Sequence, residues 1–225
     1  MEHRRLGFTT APAPWPLIRT VSKALSLVAL AVLLTACAAT PPKQQDNLCQ
    51  IFRQYPKWYD HTLDSQRRWG TPIWLQMAFV QQESSFRAGV RPERTRLLGF
   101  IPWRRPSSAK GYAQAQDPAW QDYMDATNQM FARRSSFSDA VDFIGWYNDV
   151  SHRRLKLRKD DAYNLYLAYH EGHGGYQRGS WQRKSTLQAI ARKVERRAAQ
   201  YRSQLQSCQD EFHCRRWYQI WPFCR

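Results

Sequence analysis

Thr71-Pro72-Ile73-Trp74-Leu75-Gln76-Met77-Ala78-Phe79-Val80-Gln81-Gln82-Glu83-Ser84-Ser85-Phe86 decides how the rest of the chain is read. Thr71 followed by Pro72 is a helix start: a hydroxyl cap, then a residue whose fixed φ suits the first helical position. The run from Ile73 is apolar nearly all round, so this helix belongs at the centre of a core and not on its surface. Glu83 stands at its far end. A carboxylate is costly to desolvate and is slightly disfavoured at a helix C-terminus by the dipole. Burial raises a carboxyl's pKa, and a carboxyl kept protonated near neutrality can act as a general acid. Glu83 is therefore the candidate catalytic residue; the plain structural alternative is a terminal glutamate facing solvent.

Working outward, Asp117-Pro118 repeats the start signal and predicts a helix over 118–134. Ser138 starts another through about Leu155, and Asp160 or Asp161 caps a helix to about Tyr169. The last runs from Thr186 to about Gln206, with Leu187, Ile190, Ala191, Val194, Ala198, Tyr201 and Leu205 at helical spacing and the other face dense in Lys and Arg. There are no alternating strand runs of useful length and no internal repeat. Residues 87–110 are rich in Arg, Gly and Pro and read as a long loop with a short hairpin around Leu97–Trp103; loops that long inside compact domains are often functional. The expected fold is mainly α: a single helical domain over 47–207, with that loop or small hairpin after the Glu83 helix.

Composition narrows the class. Of 225 residues, 43% are hydrophobic and 14% aromatic, enough burial to offset ordering entropy, which excludes a disordered tail. Mean hydropathy is −0.70 and no apolar run approaches the ~18 residues of a spanning helix, which excludes a polytopic membrane protein. Ten Gly and twelve Pro exclude collagen-like and linker-like chains. The net charge of +16 prefers anionic partners, whether nucleic acid, acidic lipid or an acidic polymer, and does not choose among them.

The N-terminus chooses the compartment. Arg4, Arg5, Arg19 and Lys23 precede an apolar core, Ala24 to Leu34, too short to span a bilayer but right for a signal peptide. Leu34-Thr35-Ala36-Cys37 follows at once and resembles a bacterial lipoprotein cleavage box, in which the Cys receives lipid. The alternative is an ordinary secretory signal with an incidental Cys. On the lipoprotein reading, 1–36 is removed with four cations and one Glu, leaving 189 residues of charge +13. Residues 37–46 become a lipidated, Pro-containing tether, and by resemblance to known lipoproteins Ala38 rather than Asp after the Cys implies the outer membrane, facing the periplasm. Cys49, Cys208, Cys214 and Cys224 remain, an even number that implies two disulfides with three connectivities open. The expected pairing ties Cys49 to Cys208 and staples a C-terminal tail, 208–225, through Cys214–Cys224. A four-Cys zinc site would want shorter paired spacings.

Two further stretches carry chemistry. Ser108-Ala109-Lys110-Gly111-Tyr112-Ala113-Gln114 pairs a glycine hinge with an amide, and Ala168-Tyr169-His170-Glu171-Gly172-His173-Gly174-Gly175-Tyr176 ends a helix in a glycine cluster flanked by aromatics. Glycine lets backbone approach a ligand closely, and tyrosine offers a flat face and a hydroxyl suited to sugars. Glu83-Ser84-Ser85-Phe86 and these two stretches, in this order, resemble the soluble-lytic-transglycosylase-like family, which shares the goose-type lysozyme fold. That family shows Glu-Ser then Phe, Ser-x-x-Gly-Leu-Met-Gln, and Ala-Tyr-Asn-Ala-Gly. Asp139 to Tyr147 loosely resembles its intervening segment, so the resemblance covers roughly residues 70–180. The departures are Tyr112-Ala113 for Leu-Met, His170-Glu171 for Asn-Ala, and a longer gap between Glu83 and Gly111.

The resemblance implies a peptidoglycan lytic transglycosylase. Glu83 would be acid and then base in cutting the MurNAc-GlcNAc β-1,4 bond with formation of a 1,6-anhydroMurNAc end, the substrate's acetamido group assisting, so that no second carboxylate is required. Ser84, Gly111, Tyr112, Gln114, Tyr169, His170, Glu171 and Gly172 would contact the glycan. A hydrolytic muramidase would instead draw a base from Glu171, Asp142 or Asp149, and a non-catalytic peptidoglycan-binding scaffold would keep the cleft without turnover. The expected partners are glycan strands and a membrane reached through Cys37, with no nucleic acid and no cofactor. His170-Glu171-Gly172-His173 is not a zinc-protease motif, since that motif needs its second His at position 174, which is Gly. The Lys/Arg face of the last helix reads as a solvated face. The aromatic tail (Phe212, Trp217, Tyr218, Trp221, Phe223) reads as a small cap on the core.

Overall fold

The computed structural model describes residues 40–97, 101–102 and 105–213. Cys37, Cys214, Cys224 and most of the aromatic tail therefore lie outside the described residues. The chain divides after Ala38, and everything below lies in the second unit, Ala39–Arg225. The described part is mainly α, as expected.

Asn47 caps the first helix, α1 (Leu48–Gln54), by accepting the Gln50 N–H at 3.1 Å. Pro56 opens α2 (Pro56–Trp69), and Gly70 closes it in the left-handed conformation (φ 77). The central helix is α3 (Ile73–Ser84), in which Leu75, Met77, Ala78, Phe79 and Val80 are fully buried. Its start differs from the expected cap: Pro72, not Thr71, occupies the cap position. Thr71 is buried with its hydroxyl turned to the Gly145 carbonyl (3.4 Å), and the Gln66 side chain of α2 accepts the Ile73 N–H instead (2.9 Å).

After α3 the long loop carries the expected hairpin, β1 (Arg96–Leu97) paired antiparallel with β2 (Ile101–Pro102). The next helix, α4, is shorter than the sequence expectation: it spans Asp117–Thr127 and stops where Asn128 turns left-handed (φ 57). The chain beyond it turns back toward the loop that precedes α4. The Arg134 guanidinium donates to the carbonyls of Ser108 and Ala115 and pairs with Asp117, bracing the loop that enters α4.

α5 (Phe137–Leu155) packs most extensively on α2. Ser65 donates to the Val141 carbonyl at 2.9 Å, and a Cβ at Gly145 would lie 2.4 Å from the Ser65 oxygen, so this crossing needs glycine. Asp161 caps α6 (Ala162–Gln177), which does not end at Tyr169. It passes through a non-helical residue at Gly172 (φ 72, ψ 157) and continues, the glycine cluster being absorbed into helix. A 3-10 turn (Ser180–Arg183) leads to α7 (Ser185–Cys208), which lies along α3 and α6, and then to the short α8 (Asp210–His213).

Cys49 of α1 and Cys208 of α7 form a disulfide across a sequence separation of 159 residues. Phe212 of α8 is buried against Phe52 and Tyr59 beside it. The cationic face of α7 is partly engaged in packing: Arg197 pairs with Asp46 at 2.6 Å, and Arg192 and Arg202 lie over the rings of Tyr163 and Trp74. No helix among the described residues is long and apolar enough to cross a membrane.

Candidate active site

The buried helix α3 delivers Glu83 to the floor of a cleft of about 550 Å³. The delivery is forced by local backbone. Ser85 and Phe86, directly after the helix, both hold positive φ (50 and 60), a left-handed conformation costly for side chains larger than glycine. Phe86 is held there by burial against Trp58, and the Arg87 N–H closes the turn on the Ser84 carbonyl at 3.1 Å. The helix thus stops one residue after Glu83.

Two other segments wall the cleft. Residues 110–115 form a tight turn in which Gly111 has φ 79; a Cβ there would sit 2.0 Å from the Arg134 carbonyl oxygen, which accepts the Tyr112 N–H at 3.1 Å. Gln114 also holds positive φ, and its amide donates to the carbonyls of Gly111 (2.8 Å) and Val90 (3.1 Å), presenting the residue to the cleft in a fixed pose. The opposite wall is α6. Tyr169 donates to the Ala113 carbonyl at 2.5 Å, which ties α6 to the 110–115 turn across the site, and its ring packs edge-on against Phe79 and Tyr147. Phe143 and Tyr147 of α5 complete an aromatic lining.

Glu83 keeps part of its surface on the cleft while protein surrounds its carboxyl on the remaining sides. Burial lifts its pKa from the ordinary carboxylate range to about 7, opposed by a hydrogen bond from the Tyr166 hydroxyl, which favours the charged form. Tyr166 and Tyr169 are both pushed above the usual phenol range by burial and by the facing Glu83 charge, so both stay hydrogen-bond donors.

Glu171 is a second carboxyl on the cleft wall, in the opposite electrostatic condition. Burial would raise its pKa, but Lys184 (2.8 Å and 2.9 Å), Ser180 (2.5 Å) and His170 (3.3 Å) surround it and hold it below the usual range. Two carboxyls whose surroundings push their pKa values apart divide the roles: Glu83 can hold a proton near neutral pH, and Glu171 is a fixed anion inside an ion pair. The other two acids considered from sequence are engaged elsewhere. Asp142 accepts from Arg68, Trp69, Tyr123 and Gln129, Asp149 is held low by Lys159 and Arg153 against the effect of burial, and neither lines the cleft.

Of the residues singled out from sequence, the cleft brings together Glu83, Gln114, Tyr169, His170, Glu171 and Gly172. Ser84, Gly111 and Tyr112 stand behind it. Ser84 is buried with its hydroxyl on the Val80 carbonyl (3.1 Å), Gly111 shapes the turn, and Tyr112 packs edge-on against Trp58 and Phe137 in the core. Tyr166 went unrecognised in the sequence. It lies one helical turn before Tyr169, so the two share a face, and that spacing was the available signal. His173 is not a free ligand: it bonds Ser151 at 2.9 Å and stacks on Tyr147. Among the described residues no three His, Cys, Asp or Glu side chains converge as metal ligands.

A family model described as Transglycosylase SLT domain matches residues 25–208. No curated protein and no solved structure gives a significant match.

Proposed function

The chain belongs to the transglycosylase SLT family, and from that premise we propose that it is a peptidoglycan lytic transglycosylase in which Glu83 is the one catalytic carboxyl. The observation that carries the reading is a carboxyl with a pKa near 7 on the floor of an aromatic-lined cleft, where it starts the reaction with its proton on. Glu83 gives that proton to the oxygen linking N-acetylmuramic acid to N-acetylglucosamine. The C1–O bond breaks and the acetamido oxygen of the muramyl unit carries the positive charge at C1. The N-acetylglucosamine leaves with its hydroxyl restored. Glu83, now a carboxylate stabilised by the Tyr166 hydrogen bond, takes the proton from the C6 hydroxyl as O6 closes on C1. The product is a 1,6-anhydromuramyl end; no water is consumed and Glu83 is again protonated. Gln114, Tyr169 and the 170–172 segment position the sugars. Glu171 is already neutralised by Lys184, which argues against a second carboxylate poised to activate water.

The same reading includes export, lipidation at Cys37, and anchorage in the outer membrane facing the periplasm, where the polymer lies. The test is digestion of purified peptidoglycan by wild type and Glu83→Gln. Wild type is expected to release soluble fragments and the variant none. Equal release by both would remove Glu83 from the chemistry, and binding without release by either would leave a scaffold protein.

A further inference from the structure

Beyond the cleft, the second half of α6 and the 3-10 turn border a separate cavity of about 300 Å³. Arg154 and Lys156, at the end of α5, form one wall, and Tyr176, Gly179, Trp181 and Gln182 form the other. The Tyr176 and Trp181 rings are nearly parallel, 17° apart in plane with centroids 5.8 Å apart. The Tyr176 hydroxyl donates to the Asn164 side chain at 2.8 Å, which fixes its ring. Gly179, at φ 71, turns the chain sharply so that Trp181 comes back beside Tyr176.

The charge here is uncompensated. Arg153, Arg158, Lys159 and Lys184 all have acidic partners. Arg154 and Lys156 are exposed and have none among the described residues. The cavity is also close to the cleft. Arg154 acts electrostatically on both Tyr147 and His173, Tyr147 lines the cleft, and His173 stacks on it at 4.4 Å. Tyr176 lies about one helical turn beyond Gly172 at the cleft edge. An aromatic wall facing two free cations suits a sugar ring that carries a carboxylate.

We propose that this cavity is a second binding site for the same polymer, taking a carboxylate-bearing sugar unit of a strand whose scissile bond lies over Glu83. This rests on the functional reading above. The carboxylate has two possible sources, the lactyl group of a bare muramyl unit or the peptide attached to it, and the chemistry of capture is shared. A ligand-free role for the two cations also exists, since they complement the C-terminal dipole of α5.

The test uses the full chain carrying Glu83→Gln, so that strands bind without being cut. Neutral N-acetylglucosamine oligomers, peptide-stripped glycan strands and peptide-bearing strands are each titrated by tryptophan fluorescence. Adding Arg154→Gln with Lys156→Gln is expected to weaken binding of anionic strands about tenfold and to leave the neutral oligomers unchanged. Loss confined to stripped strands assigns the lactyl carboxylate, and loss confined to peptide-bearing strands assigns the peptide. Trp181→Ala, checked for an unchanged melting temperature, is expected to weaken the same strands. Unchanged affinity in both variants overturns the proposal. If wild type released no fragments while the affinity loss persisted, the catalytic reading would fail and this site would stand.

Discussion

On the proposed mechanism Glu83 must lose and regain a proton in one turnover, and its surroundings hold it near the midpoint. Desolvation at the end of α3 raises its pKa and the Tyr166 hydroxyl lowers it, with a balance at about 7. Since the reaction starts from the protonated acid, kcat/KM should fall as pH rises through about 7. Tyr166→Phe removes a donor that favours the charged form, so the alkaline limb should move to higher pH; an unmoved limb in a pH–rate profile would dissociate Tyr166 from the acid. The same shift bears on stability. A folded-state pKa above the unfolded value means that stability is fullest below the usual carboxylate pKa and declines as pH rises through about 7. Glu83→Gln should therefore melt with wild type near pH 4 and above it at pH 8, by on the order of 1–3 kcal/mol, while losing activity. Glu83 stood out in the sequence because a charged residue closing an apolar helix needs a reason, and the structure places it on the cleft. Its partner did not stand out, because a tyrosine in an apolar helical stretch reads the same whether its hydroxyl meets a carboxylate or a carbonyl.

At the scale of elements, the site depends on three places where regular structure gives way: the end of α3, the 110–115 turn and the break in α6. Gly111 and Gly172 both hold positive φ, yet their surroundings differ. A Cβ on Gly111 collides with the Arg134 carbonyl, whereas nothing lies within 4 Å of one on Gly172. Gly111→Ala should therefore cost more than about 3 kcal/mol or prevent folding, and Gly172→Ala only the strain of a backbone conformation nearly confined to glycine, roughly 1–3 kcal/mol. Thermal melts of the two variants check the contrast, and equal losses would contradict it. Helix positions were legible from caps and apolar periodicity; helix ends were less so. α4 stops at Asn128, and the chain beyond it turns back so that Arg134 braces the loop opposite, whereas α6 continues past Tyr169 because Gly172 interrupts it without ending it. Both outcomes depend on tertiary partners that local sequence does not contain.

For the whole molecule, the Cys49–Cys208 disulfide joins the first described helix to the last long one, closing a loop that contains the entire cleft. Chain entropy alone assigns a loop of that length about 5 kcal/mol, an upper figure for what reduction should cost. Cys49→Ser with Cys208→Ser should lower the melting temperature markedly in an otherwise active protein; an unchanged melt would mean that packing of α1 on α7 suffices. The pairing was one of three that the cysteine count allowed; the reading of residues 1–37 as an export signal ending in a lipid-accepting Cys37 is a proposal made on sequence pattern, and those residues lie outside the described ones. The functional reading is that this molecule cuts its polymer by closing the substrate on itself, not by adding water. The most direct measurement is digestion of peptidoglycan in isotopically heavy-oxygen water, with mass spectrometry of the new muramyl ends. The account predicts unlabelled 1,6-anhydro ends, absent with Glu83→Gln; labelled reducing ends from wild type would contradict it.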